Sequence, residues 1–280
     1  MSDTLRRATA DARVLVVGAH GATERPDRVV TEEPMEIRAG GPGQEPVSVA
    51  VTMRTPGHDF DLAVGFLLTE GVLGSAAEVA DVRYCRLPEG EEQLYNVVTV
   101  GTRGRFELDG QARRFHANAS CGLCGKQSLD QIEVATAPIG PGPVVPASVI
   151  AGLPDALRDA QRVFDKTGGL HAAGLADARG RLRSVREDVG RHNAVDKLVG
   201  EAALASRLPL SDEILVVSGR VSFEIVQKAA VAGIPIVCAV SAPSSLAVDA
   251  ATTLGMTLVA FVRDGGFNVY TGAARIALST

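Results

Sequence analysis

Cysteine is scarce in this sequence, with four residues in 280. That is too few to staple a secreted fold of this length, and it points to thiols kept reduced and available. Long apolar runs are missing too. Near the start, "RVLVVGA" is too short for a signal core, no cleavage pattern follows it, and no stretch anywhere approaches membrane-spanning length. A cytoplasmic protein without a membrane partner is expected. An excess of positive charge is also absent: 28 Lys and Arg stand against 33 Asp and Glu, for a net charge of -5. Nothing in that balance draws the chain to nucleic acid or anionic lipid, so any anion site must be local. Internal repeats and low-complexity tracts are not found. What is present, 46% hydrophobic and 22% charged residues, is the composition of an ordinary soluble protein with one large domain or two of common size.

The patterning changes along the chain. Residues 1–30 are polar without a sustained period, which predicts a poorly ordered lead-in. Residues 31–116 read as an α+β N-terminal domain. Its strands are "VSVAVTMR", "VADVRYCRL" and "YNVVTV", its helix is "FDLAVGFLLTEGVL" closing near Gly71, and a small strand region surrounds "RFELDGQARRF". Residues 117–145 hold "SCGLCGK" and a connector, "APIGPGPVVPAS", rich in the two residues that interrupt regular structure. Residues 146–280 read as an α/β domain.

Within that last part, "EILVVSG", "IPIVCAVSAP" and "MTLVAFVRDGG" are apolar runs of strand length, separated by "RVSFEIVQKAAVAG" and "SSLAVDAATTLG" with helical spacing. Alternating strand and helix predicts parallel strands with right-handed crossovers, whose following loops gather along one edge. Those loops carry Ser218, Gly219 and Arg220, then Ser241 to Ser245, then Arg263 with Asp264, Gly265 and Gly266. Small residues and guanidinium groups there suit a phosphate or a polar ring held close to backbone N–H groups. Each loop alone is also ordinary turn chemistry. Three at one edge favour a ligand site.

The densest polar stretch is "TGGLHAAGLADARGRLRSVREDVGRHNAVDKLVG". It predicts a hairpin followed by a helix from near Asp188 to Gly200, with Glu187 and Asp188 at the favourable N-terminal end. Asp188 with His192, and Asn193 with Lys197, are spaced to share a face. For any one of these residues a capped helix with an exposed charged face is the simpler reading, yet the density of the cluster suggests a site.

Cys121 and Cys124 admit several chemistries. A closed zinc site takes about four ligands. The chain has no second C-x-x-C, and His116, His171 or His192 could complete a site only through the fold. A zinc deaminase would carry an H-x-E element, which is missing, and Ser120 stands where such an enzyme has proline. A thioredoxin-like couple belongs early in a βαβ unit, with an aromatic residue commonly before the first cysteine. Buried inert thiols are the remaining alternative, against which Gly122, Gly125, Ser120, Asn118 and Lys126 suit an accessible loop. A sulfur nucleophile fits that loop: its thiolate must be exposed, of lowered pKa and able to release the sulfur again.

Eight blocks, "EEPMEIR", "MRTPGHDFDLAVGFLLTEG", "SCGLCGK", "FDKTGGLHAA", "REDVGRHNAVDKLVG", "SGRVSFEIVQKA", "SAPSSLAVDAA" and "FVRDGGFNVYTG", occur in the order seen in the formate dehydrogenase accessory sulfurtransferases, the FdhD/NarQ family. The resemblance spans roughly residues 31–275. It implies a sulfur carrier loaded by a cysteine desulfurase, which passes sulfur to the molybdenum or tungsten bis(molybdopterin guanine dinucleotide) cofactor before formate dehydrogenase takes it up. It implies Cys121 as the persulfide-bearing residue and Cys124 as its partner. It further implies that Phe261, Val262, Arg263, Asp264, Gly265 and Gly266 contact the cofactor, gives a ligand to the edge formed by Ser218, Gly219, Arg220 and Ser241, and adds His192 of the polar stretch to the cofactor-binding candidates. A C-terminal domain similar to the cytidine deaminase-like fold and a homodimer are implied as well. No resident metal is expected. The alternative is a cofactor-binding chaperone whose C-x-x-C is structural or holds zinc.

Overall fold

The computed structural model describes residues 7–85, 94–108 and 138–278. In chain order, β1 (Thr9–Gly18) and β2 (Gly21–Val30) form a two-stranded antiparallel ribbon. The lead-in expected to be poorly ordered is therefore strand over most of its length. Its reason is local: "ARVLVV" is rich in β-branched residues, and the two-residue turn Ala19–His20 sits between Gly18 and Gly21, the latter at a positive φ of 126°. Polar residues on both faces hid that pairing.

The next strands are β3 (Glu33–Gly40), β4 (Val47–Arg54), β5 (Val79–Tyr84) and β6 (Val97–Thr102), with α1 (Asp59–Thr69) between β4 and β5. They form a four-stranded sheet in the order β4-β3-β6-β5. Alternate residues Met35, Ile37 and Ala39 on β3 and Val98 and Val100 on β6 point to one face, where Leu62, Leu67 and Leu68 of α1 cover them. Each fully buried aliphatic side chain of this kind contributes about 1.5–3 kcal/mol.

The remaining elements are β7 (Val145–Pro146), α2 (Ala147–Ala160), α3 (Phe164–Thr167), β8 (His171–Ala176), β9 (Leu182–Asp188), α4 (Arg191–Leu204), β10 (Ile214–Val217), α5 (Phe223–Val231), β11 (Ile236–Ala239), α6 (Ser245–Thr253), β12 (Thr257–Arg263), β13 (Gly266–Thr271) and β14 (Ile276–Ala277). Six of these strands form a mixed sheet in the order β13-β12-β11-β10-β8-β9. As the alternation predicts, β10, β11 and β12 run parallel, while β8, β9 and β13 add antiparallel margins. The sheet is covered on both sides. Ile214, Val216, Ile236, Cys238 and Val259 pack against Ile150, Leu153 and Leu157 of α2. Their neighbours Leu215, Val217, Val237 and Leu258 face α4, α5 and α6. Burial on both faces is why these strands read as unbroken apolar runs.

The predicted helix of the polar stretch differs at both ends. Asp188 closes β9, and α4 runs past Gly200 to Leu204. Gly200 does not end the helix but lets it cross α1. A Cβ at Gly200 would overlap the Asp61 carbonyl and come within 2.8 Å of the Gly65 amide, and one at Gly65 would overlap the Asp196 carbonyl. The two glycines bring both backbones together, so α1 and α4 join the four-stranded and six-stranded units.

Candidate functional site

The C-terminal ends of β10, β11 and β12 share one edge of the six-stranded sheet, and the start of antiparallel β8 lies there too. The three loops at this edge are laced to one another by backbone hydrogen bonds. Val221 N donates to Ala242 O at 3.1 Å, Ser244 N to Val221 O at 2.9 Å, and Phe261 N to Ser241 O at 3.2 Å. Ser218 is tied back to β8, its N–H donating to Ala172 O at 3.0 Å and its Oγ accepting from Ala172 N at 2.9 Å. Gly219 then passes close to His171, where a Cβ would stand 3.3 Å from Nδ1. Arg220 is exposed.

Helix starts meet the same edge. Ser244 caps α6 by accepting from Ala247 N at 3.2 Å. Ser222, before α5, makes no side-chain cap and lies with Oγ 3.3 Å from His192 Nε2 on α4. Glu224 Oε2 is 3.9 Å from that same nitrogen. Burial pushes His192 down to about 4, reinforced by the charges of Lys228 and Arg191. Burial also lowers His171, helped by Arg191 and against the pull of Asp188. Both imidazoles are therefore neutral near pH 7.

The third loop is a hairpin turn. Arg263 pairs with Gly266, so Asp264 and Gly265 form a two-residue connection with φ of 53° and 74°. Both central residues at positive φ match the Asp-Gly turn that the twist of adjoining strands favours. The turn accounts for Asp264 and Gly265 without a ligand. Phe261 is different: a bulge in β12 holds it at φ 53°, an uncommon conformation for a bulky side chain. Arg263 lies over its ring at 5.7 Å. Val262 is fully buried against the α2 side of the sheet, so its side chain offers nothing to the edge.

The polar stretch has a second role that composition did not reveal. Asp188 is fully buried and pairs with Lys197 at 2.7 Å. It also accepts from Thr55 N at 3.1 Å, Gly190 N at 2.8 Å and Asn193 Nδ2 at 3.0 Å. Lys197 donates to Thr55 O at 2.8 Å, and Asn193 Nδ2 to Met53 O at 2.8 Å. One turn on, Asp196 accepts from Thr69 Oγ1 at 2.7 Å and pairs with Lys228 at 2.9 Å, which also reaches Glu70 at 2.6 Å. Arg186 on β9 pairs with Asp61 on α1 at 3.0 Å. Glu187 accepts the amides of Val163 and Phe164 at 2.9 and 2.8 Å. Most of the cluster is thus a buried joint between the two units. Only Arg191 and His192 turn toward the sheet edge.

Residues 30–277 match the model of the FdhD/NarQ family. The chain belongs to the FdhD/NarQ family. Among the FdhD proteins it resembles, "Sulfur carrier protein FdhD" of Mycolicibacterium paratuberculosis is 50% identical over 276 residues, covering 96% of this chain and 99% of that one. The protein of the same name from Streptomyces avermitilis is 50% identical over 278 residues, 97% of each chain. A crystal structure described as a putative formate dehydrogenase accessory protein from Desulfotalea psychrophila shares the fold. It aligns with a TM-score of 0.73 at 24% identity over 97% of this chain and 100% of that one.

Of the residues that the FdhD resemblance singles out, Cys121 and Cys124 lie outside the described residues. The edge brings together Ser218, Gly219, Arg220, Ser241, Phe261 and His192, with Arg263 above Phe261. Sequence reading missed His171 and Arg191 as neighbours of this edge. The hairpin and helix assignments carried the needed signal, since β8 and β9 must bring His171 and the start of α4 to the end of β10. Among the described residues, no group of three His, Cys, Asp or Glu side chains is arranged to hold a metal ion. Burial pushes the Cys238 thiol far up, so it is no nucleophile.

Proposed function

We propose that this chain is a sulfur carrier in formate dehydrogenase maturation. It takes sulfur from a cysteine desulfurase as a persulfide on Cys121 and delivers it to the molybdenum (or tungsten) bis(molybdopterin guanine dinucleotide) group destined for formate dehydrogenase. The observation that carries this reading is the 50% identity, across nearly the whole of both chains, with proteins named sulfur carrier. The "GLCG" setting of the cysteine pair supports it.

The loading step balances without an external oxidant. The Cys121 thiolate attacks the outer sulfur of the desulfurase persulfide, a new S–S bond forms, the old one breaks, and the desulfurase cysteine leaves as thiolate. Attack of the Cys124 thiolate on Cys121 Sγ would release the outer sulfur as hydrosulfide and leave a Cys121–Cys124 disulfide. In the sequence, glycines at 122 and 125 and a lysine at 126 stand beside the pair, a composition that suits a nucleophilic thiol.

The pterin dinucleotide is the cargo. Its phosphates suit the amides and guanidinium groups around Gly219 and Arg220, and its flat rings suit Phe261 with Arg263. A cytoplasmic homodimer belongs to the same proposal, as does the cytidine deaminase-like likeness, with which three parallel strands between helical layers are compatible.

The test is transfer of labelled sulfur from cysteine through a desulfurase, followed by peptide mapping. Label on the peptide containing Cys121 is expected. A protein that binds the cofactor and never carries label would be a chaperone instead, and stoichiometric zinc on an unlabelled C-x-x-C would make that loop a metal clamp.

A further inference from the structure

We propose that the outer edge of β1 is a self-pairing surface, along which two copies of this chain join their ribbons antiparallel, with Asp11 of each copy opposite Arg13 of the other. The inference rests on the homodimer reading in the proposed function and adds to it the surface, the register and the residues.

The ribbon stands out from the fold. Every residue from 15 to 29 is exposed, and its turn end is apolar, with Leu15 at 57% and Val17 at 75% exposure. A two-stranded hairpin by itself is only marginally stable in water, and an unpaired strand edge is a template for another strand.

The two edges of the ribbon differ. Thr31 N donates to Ala8 O at 2.9 Å, in line with a register that pairs Thr9 with Val30 and Gly18 with Gly21. Hydrogen-bonded and non-hydrogen-bonded pairs alternate along an antiparallel ladder. The amides and carbonyls of Thr9, Asp11, Arg13, Leu15 and Val17 therefore face away from β2. On β2 the outward-facing set includes Pro26, which has no N–H to offer, and Val30, which packs on Gly169. A proline in the middle of an edge blocks a further strand there. β1 contains no proline, and β2 is its only strand partner among the described residues.

Charge selects the register. Two copies of β1 can share hydrogen bonds only if their outward-facing residues stand opposite one another. A two-fold axis at Asp11 or at Arg13 sets like charges together. An axis at Ala12 instead sets Asp11 against Arg13 twice. Arg13 lies across from Pro26 in its own ribbon and meets no acid there, whereas Asp11 would lie between its own Arg28, at 3.5 Å, and Arg13 of the other copy.

The same register accounts for the apolar turn end. Leu15 falls opposite Thr9 of the other copy and Val17 opposite Arg7, and residues directly opposite share a face. Arg7, Thr9, Ala10, Asp11 and Arg28 line a cavity of about 410 Å³ at the base of the ribbon. The turn end of one copy thus reaches the cavity of the other, where the hydrocarbon stems of two arginines can cover it.

The experiment is sedimentation equilibrium of the full chain. Wild type should be a dimer. Arg13→Asp sets like charges opposite at two symmetry-related positions and should weaken association about tenfold or more, as should Asp11→Arg. An equal mixture of these two variants should associate as wild type does, because every charge again meets its opposite. Ala12→Cys should form a disulfide between copies on mild oxidation, mapped to its own peptide, since a non-hydrogen-bonded pair holds its Cα atoms about 4.5 Å apart. Val14→Cys, which falls opposite Ala10 of the other copy, should not. If Asp11→Arg unsettles the ribbon through the loss of Arg28, Arg13→Asp decides. A dimer of unchanged affinity in Arg13→Asp overturns this surface and leaves the homodimer reading in place. A monomeric wild type overturns both. A mixture that fails to associate, or a disulfide in Val14→Cys and none in Ala12→Cys, overturns the register.

Discussion

Gly65 and Gly200 face each other across the crossing of α1 and α4, each so close to the other helix that a Cβ would overlap a backbone carbonyl, of Asp196 in one case and Asp61 in the other. That approach sets the distance between the four-stranded and six-stranded units. It also carries the buried pairs on either side, Asp188 with Lys197 and Asp196 with Lys228. Small residues at one crossing therefore determine whether the start of α4, with Arg191 and His192, reaches the sheet edge.

Replacing either glycine by alanine should push the helices apart. The obstruction is backbone, which cannot rotate away, so Gly65→Ala and Gly200→Ala should each cost about 1–3 kcal/mol or more. Urea denaturation followed by circular dichroism measures the loss. A gain in stability, as helix propensity alone would give at these positions, would show that the crossing is looser than described.

The joint should also respond to charge. Lys197→Met leaves Asp188 buried without its cation, a change worth about 3–5 kcal/mol where a buried pair is broken. The pair Asp188→Asn with Lys197→Met should cost less than the sum of the two single changes, since the second removal no longer strands a charge. Strict additivity in a double-mutant cycle would mean that the two side chains do not act on one another.

The contrast between these two units explains what the sequence disclosed. β10, α5, β11, α6 and β12 were legible because burial on both faces leaves unbroken apolar strands between helices with a polar stripe. The Asp264–Gly265 turn was visible as a turn, but not the return of β13 that it implies. Three features escaped. β1 and β2 carry polar residues on both faces, so the ribbon lacks a clean alternation. α2 follows a Pro- and Gly-rich stretch and holds Pro154 inside it. Gly200 looked like a helix stop because a glycine chosen for close packing and one chosen for a positive φ are the same letter. The polar run 187–197 marked something real, yet most of it serves the joint, and only spatial neighbours such as Thr55, Thr69 and Lys228 could disclose that.

Acid should weaken the fold through His192. Its folded value, about 4, lies below the ordinary 6.5, so the unfolded chain binds the proton more tightly. Stability from the neutral ring is fully present above about 6.5 and is lost as pH falls toward 4, by on the order of 3 kcal/mol at most. His171, lowered in the same direction, adds to the same slope. Denaturation midpoints across this range should fall less steeply in His192→Gln than in wild type. An unaltered slope would mean that the ring is already charged in the folded protein.

The last prediction separates the four thiols. Cys238 lies on β11 in the core beneath α2, fully buried, with its thiol pushed far up by burial. A thiol that does not ionise cannot attack a persulfide, so Cys238→Ala should keep its sulfur loading and lose only a little stability from the small cavity. Cys121→Ala should abolish labelled sulfur and formate dehydrogenase maturation while the chain stays folded. Cys124→Ala should retain some loading, because its proposed part begins after the persulfide has formed. A chain lacking both Cys121 and Cys124 should carry no label, although Cys85 and Cys238 remain. Label counted by mass spectrometry on each variant decides the matter: sulfur retained in Cys121→Ala and lost in Cys124→Ala exchanges the two roles, and sulfur retained when both are absent places the carrier elsewhere in the chain.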